Sequence, residues 1–249
     1  MKKNIFTPVI TFLSAKGGIG KTILIINLAY LLRKDGYKVL IIDTNFKFPT
    51  VDLLLGKTKK ITAEDLLKES KSLIQRVQYS DEDIYFLSFF KAFKIKEELK
   101  ELDNIISALD ELRKDFDFIL IDTSTCINER FIQLVIHSDK NILIVSPEIA
   151  SVSNSYLLIK YLLSRTSADI YLLINKTDSE REANDIYKDL ESLSYRTLKI
   201  KLNYLGFIHF ENALFNFSKY ESLYIKEFPL SRFSKDLERI KNKILEGAR

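Results

Sequence analysis

Two rhythms of apolar residues alternate along the chain. Short, almost wholly apolar runs occur at 9–13, 39–43, 84–88, 117–122, 141–146, 170–175 and 204–208. Runs of that length without polar alternation predict strands buried on both faces. Between them, apolar residues return every three or four positions. Ile95, Leu99, Leu102, Ile105, Ile106, Leu109 and Leu112, for example, form one stripe of a helix over 95–114. Other helices are predicted at about 21–34, 129–137, 153–163, 180–193 and 234–246, and one from Thr62, where Thr62 and Asp65 take capping-box-like positions. Gly36 stands where the first helix needs a C-terminal cap. The stretch 44–56, which contains Pro49, reads as irregular. Strands alternating with amphipathic helices predict an α/β fold, a doubly wound and mostly parallel sheet with helices on both faces. No repeat, low-complexity tract or linker interrupts the pattern, so residues 1–249 are expected to form a single domain, with the C-terminal helix of 231–249 docked on it or peripheral to it.

Composition narrows the chemistry. The one cysteine, Cys126, leaves no disulfide framework and no paired-cysteine metal or cluster site within a chain. His137 and His209 are too isolated to suggest zinc. A formal charge of +4 over 249 residues argues for no specific nucleic-acid surface. The apolar runs are strand-length, so no membrane span is expected. Met1-Lys2-Lys3 leads into the first strand without the long apolar segment of a signal peptide, and the expected compartment is the cytoplasm.

The chemistry-bearing stretch is Ser14 to Thr22, S-A-K-G-G-I-G-K-T, between the first strand and the first helix. Gly17, Gly18 and Gly20 let the loop curl with its backbone N–H groups turned towards a phosphate chain. The helix that begins at about Lys21 adds unpaired N–H groups and the positive end of its dipole. Lys21 would reach the β- and γ-phosphates, and the Thr22 hydroxyl would ligate Mg²⁺. In open parallel sheets, ligands bind beyond the carboxyl ends of the strands. Asp43, Asp122 and Asn175 all end apolar strands and so share a rim with the loop. Asp122, which closes such a strand, has the arrangement of a Walker B carboxylate.

Lys16-Gly17-Gly18-Ile19-Gly20-Lys21-Thr22 resembles the deviant Walker A motif of the MinD/ParA ATPases, a family of P-loop NTPases. Ile42-Asp43-Thr44-Asn45, continuing to Val51-Asp52-Leu53-Leu54-Leu55-Gly56, is similar to that family's switch I, and Ile121-Asp122-Thr123 to the start of its switch II. Ser146-Pro147-Glu148-Ile149-Ala150-Ser151-Val152, Leu205-Gly206-Phe207-Ile208 and Pro229-Leu230-Ser231 resemble segments of the MinD and FlhG branch. The similarity extends from about residue 9 to residue 235.

The resemblance implies an ATP- and Mg²⁺-binding switch that dimerises on nucleotide and recruits a protein partner in regulating a division site or flagella. Lys16 would reach the phosphates of the second subunit. The cofactor would be held by Lys16, Gly17, Gly18, Ile19, Gly20, Lys21, Thr22 and Ile23, with Asn175 and Lys176 at the base. The metal would fall to Thr22, Asp43 and Asp122, and slow hydrolysis to Lys16, Lys21, Asp43, Asn45 and Asp122. Three departures bear on turnover. Asn45 replaces the family's second switch I aspartate, and an amide takes no proton. Ser124-Thr125-Cys126 replaces the usual proline-containing turn, and Ile23 replaces a hydroxyl residue. A hydrolysis-impaired scaffold and a ParA-type DNA-segregation ATPase are the alternative readings. Asn175-Lys176-Thr177-Asp178 also spells the N-K-x-D of GTPases, which keeps GTP as the second choice of nucleotide. Lys235, Arg239, Lys241 and Lys243 leave membrane-surface binding by the last helix open, at the inner face of the cell membrane, although Asp236, Glu238 and Glu246 interrupt the basic face. The aromatic stretch from Phe207 to Phe228 suits core packing and the lining of a base pocket. With eight residues before the first strand, the leading glutamine-bearing helix of the FlhG branch is not expected.

Overall fold

The structure, a computed structural model, describes residues 7–46, 49–55, 76–88, 95–125, 129–217 and 222–246. The expected helix from Thr62, and Gly56, Cys126 and Tyr220, lie outside the described residues. The chain runs β1 (Val9–Leu13), α1 (Lys21–Lys34), β2 (Val39–Asp43), α2 (Val51–Leu55), β3 (Gln78–Tyr79), β4 (Tyr85–Leu87), α3 (Ile95–Leu112), β5 (Phe118–Asp122), α4 (Glu129–Ile136) and β6 (Lys140–Val145). It continues with α5 (Ile149–Leu163), β7 (Ile170–Thr177), α6 (Glu180–Leu198), β8 (Asn203–His209), α7 (Asn212–Phe217), α8 (Tyr224–Glu227) and α9 (Arg232–Glu246).

The strands form one sheet in the order β3-β4-β2-β5-β1-β6-β7-β8. All pairings are parallel except that of β3 with β4, a short antiparallel edge. Alternation along the buried strands sends successive side chains to opposite faces. Ile10, Phe12, Val39, Ile41, Leu120 and Ile142 pack with α1 and α9 on one face. On the other face, Val9, Leu40, Ile42 and Ile121 meet α3, and Leu13, Leu143, Val145 and Leu172 meet α5 and α6. β1 is central, with β5 and β2 to one side and β6, β7 and β8 to the other, so the loop after β1 opens at the middle of the rim.

The doubly wound, mostly parallel sheet expected from the apolar pattern is the observed fold. Some local expectations change. Residues 51–55 are helical rather than irregular, because the Asp43 carboxylate accepts the backbone N–H groups of Thr50 and Val51 at 2.9 and 3.2 Å and so caps α2. α6 continues to Leu198, well past 193, and ends on Lys199 in a left-handed cap.

The last helix is part of the core. Phe233, Leu237, Ile240 and Ile244 are buried against α1 and β8. Gly206 of β8 has φ +142°, a conformation that favours glycine, and a Cβ there would stand 2.7 Å from Ile240 Cδ1, so any side chain at 206 would displace the end of Ile240. Lys241 Nζ donates to Asp35 at 2.5 Å and to Glu238 at 2.6 Å, and Lys243 Nζ donates to the Leu205 carbonyl at 2.9 Å. Two basic residues of this helix are therefore turned onto the protein. Among the described residues, no helix is long and apolar enough to cross a membrane.

Candidate nucleotide site

Parallel pairing brings the ends of β1, β2 and β5 together. Asp43 and Asp122 are direct partners across β2 and β5, and Phe12 partners Asp122 across β1 and β5. The glycine loop arches over this point. Gly20 has φ +90° and forms the N-cap of α1, and a Cβ on it would meet Asn175 Nδ2 at 3.1 Å. Gly18 also has positive φ, and a Cβ at Gly17 or Gly18 would meet nothing within 4 Å. The loop is open on its outer side and tight on the inner one, which is the shape of a cradle.

Lys21 and Thr22 turn back from the start of α1 onto Asp122. The Lys21 ammonium donates to Asp122 Oδ1 and to the Thr123 carbonyl. The Thr22 hydroxyl donates to Asp122 Oδ2 at 2.5 Å. Asp43, completely buried, is spent differently. One oxygen accepts the Asn45 N–H at 2.9 Å, and the other accepts those of Thr50 and Val51. Burial, and secondly the negative charge of Asp122, push Asp43 up to about 6. Lys16, at the outer edge of the loop, pairs with Glu148 at the start of α5.

A cleft of about 640 Å³ runs along the loop. It is lined by Lys16 through Leu24, by Asn45, Thr50 and Thr123 on the β2 and β5 side, and by Asn175, Lys176, His209 and Phe210 on the β7 and β8 side. The sequence-derived phosphate residues, Lys16 to Ile23, thus share one surface with Asn45, Asn175 and Lys176. Asp43 and Asp122 do not line it; both are buried, and Lys21 and Thr22, which do line it, hydrogen-bond to Asp122. Asn175 and Lys176 also brace the loop, donating to the carbonyls of Ile19 at 2.6 Å and Gly18 at 2.9 Å. Lys176 takes φ +64° at an irregularity in the β7–β8 register, which aims it at the loop. Burial, and next the Lys16 charge, lower its pKa from the ordinary lysine value. Lys16, Lys21 and Lys176 together make a cationic lining that a polyanion would stabilise. Asp178, the last residue of the N-K-x-D string, is exposed and does not line the cleft.

Thr50, His209, Phe210, Leu214 and Phe233 line the cleft without a motif to announce them. Only the aromatic excess of 207–228 pointed that way. The Thr50 hydroxyl stands 3.5 Å from that of Thr22, a proximity the irregular reading of 44–56 concealed. The oxygen donors around Thr22 suit a hard cation such as Mg²⁺ bound with a phosphate chain, which needs one or two protein oxygens rather than a full cage. No group of three or more histidine, cysteine, aspartate or glutamate side chains gathers as a metal cage among the described residues.

Comparison with known proteins agrees with this geometry. Residues 7–167 match the family model described as AAA domain. The antiactivator FleN of Pseudomonas aeruginosa is 25% identical over 95% of this chain and 85% of its own. The septum site-determining protein MinD of Helicobacter pylori is 28% identical over 71% of this chain and 69% of its own. The structure of MinD complexed with Mg-ADP from Pyrococcus horikoshii superposes with a TM-score of 0.77 at 22% identity, covering 97% of each chain. With its glycine cradle, its two strand-end aspartates and a matching AAA domain over most of its length, the chain belongs to the MinD/ParA family of P-loop ATPases.

Proposed function

We propose that the chain is an ATP-dependent switch of the site-determining kind, which closes into a homodimer around two ATP-Mg²⁺ and in that state engages a protein partner. The observation that carries this reading is the division of labour between two lysines. Lys21 is turned inward onto Asp122, whereas Lys16 stands at the mouth with its side chain 34% exposed. A phosphate chain in the loop would compete with Asp122 for Lys21 and with Glu148 for a Lys16 from either subunit. Leu53 and Ile149, on helices that follow β2 and β6 at the same rim, are 77% and 86% exposed, as befits side chains that a second subunit covers.

Thr22 would hold the Mg²⁺, with Asp122 beneath it, and the ion would draw charge from the phosphates. Slow hydrolysis follows from the chain's own groups. Asp43 is committed to three backbone N–H groups, and Asn45 beside it can orient a water but cannot take its proton. Asn45 also favours a second reading, a scaffold that binds ATP and does not turn over. The names FleN, an antiactivator, and MinD, a septum site-determining protein, support a regulatory rather than a metabolic role. Nucleotide binding is the first test. Titration with ATP and Mg²⁺ should saturate the wild type, and Lys21→Ala should weaken binding by roughly 10–100-fold through loss of a charge-assisted contact. Equal affinity of the two proteins would remove the basis of the proposal.

A further inference from the structure

We propose that His209 selects the base of the nucleotide, accepting a hydrogen bond from the exocyclic amino group of adenine and so disfavouring purines that carry an oxygen or a hydrogen at that position. This rests on the proposed nucleotide site and concerns its far end.

His209 is the last residue of β8, on the β7 and β8 side of the cleft, opposite the side where Asn45 and Thr50 stand. With phosphates in the glycine loop and the metal at Thr22, the base falls on the His209 side. Phe210, Leu214 and Phe233 give that end apolar walls, which suit a flat heterocycle. Asp178, through which an N-K-x-D motif would read guanine, is outside the lining. Asn175, Lys176, His209 and Glu211 are the polar residues at that end; Asn175 and Lys176 donate to the loop carbonyls, and His209 is the one anchored by a buried carboxylate.

A buried carboxylate fixes one hydrogen of the imidazole on Nδ1. Asp236, only 3% exposed, accepts the His209 backbone N–H at 3.0 Å and contacts ring Nδ1 at 2.7 Å through the same oxygen. Its other oxygen accepts from Arg239 at 2.9 Å. A carboxylate so placed beside a guanidinium is an acceptor only, so Nδ1 carries the hydrogen. In the neutral ring Nε2 is then a bare acceptor. Phe207 packs against the ring edge-on at 5.0 Å between centroids and fixes its plane. Among the described residues, Nδ1 is the ring nitrogen that has a partner, and His209 lines the cleft. An acceptor held rigid at the base end matches an amino donor, repels the lone pairs of a 6-oxo purine and gains nothing from a bare C–H. Asp236 and Arg239 act through His209 and are positioning residues.

Diphosphates keep the test free of dimerisation and hydrolysis. Calorimetric titration of the full chain with Mg²⁺ and ADP, GDP or purine riboside 5′-diphosphate, which lacks the 6-amino group, should show ADP tighter than either analogue by about tenfold, the worth of one net hydrogen bond. His209→Ala should bring ADP to within two- to threefold of the purine riboside compound, costing ADP more than it costs that compound. His209→Phe, which keeps a ring against Phe207, should do the same and guards against a folding artefact. In ¹⁵N spectra of the histidine rings, ADP should shift Nε2 of His209 and the purine riboside compound should not. If the wild type binds all three ligands equally, or if both variants keep the preference for ADP, the selection by His209 is wrong while the nucleotide site stands. If the wild type binds none of the three, the nucleotide site itself is wrong.

Discussion

Asp43 ties the end of β2 to the segment that follows it through one buried carboxylate. It ends β2, touches no solvent and is held by three backbone N–H groups of the following segment. Raised from 3.8 to about 6, it retains a proton in the folded chain where the unfolded chain has released one. That proton favours folding fully below about pH 4, and the advantage is lost as pH rises through about 6. Linkage puts the size on the order of 3 kcal/mol. Urea unfolding of wild type and Asp43→Asn between pH 4 and 7 isolates it. The wild type should lose more stability than the variant across that window, and parallel curves would contradict the assignment. The neighbouring amide makes a kinetic statement. Asn45→Asp restores a proton acceptor at the cleft wall, and single-turnover hydrolysis should rise by at least roughly tenfold towards the 10²–10⁴-fold worth of a general base. An unchanged rate would mean that Asn45 does not limit turnover.

At the scale of elements, α9 separates an integral helix from an appended one. Ile240 is 3% exposed and packs over Gly206. Ile240→Ala should cost about 2–4 kcal/mol in urea unfolding. A helix merely resting at the periphery would cost less than about 0.5 kcal/mol. The same helix marks the limit of what sequence could tell. Its apolar stripe of Leu237, Ile240 and Ile244 was legible, but a stripe does not say whether protein or lipid covers it. That answer needed its packing partners on α1 and β8, which no local pattern in the helix announces. The central strands and the glycine loop were legible because each rests on local rules, burial on both faces and a phosphate cradle between strand and helix. α2 was not, since its cap is a side chain eight residues upstream at the end of β2. β3 escaped notice because two residues on an antiparallel edge carry no period. In the site, the motif residues from Lys16 to Thr22 could be named beforehand. His209 could not, because its use depends on Asp236 arriving from another helix.

For the whole molecule, the order of the strands does the assembling. β1 lies between β5 and β6, so its loop meets Asp122 on one flank and the ends of β7 and β8 on the other. The proposed phosphate contacts, metal oxygens and base wall are thereby gathered on one rim, the same rim that carries Lys16, Glu148, Leu53 and Ile149. On the proposed reading, nucleotide binding and association share a surface, and occupancy of the first would govern the second. The most direct measurement is the molar mass of the chain by light scattering with Mg²⁺ and a nonhydrolysable ATP analogue, for wild type and Lys16→Ala. The account predicts a wild type that passes from one chain to two, and a variant that binds the analogue within a few-fold of wild type yet stays single. A saturated wild type that remains one chain, or a variant that dimerises as readily, would contradict it.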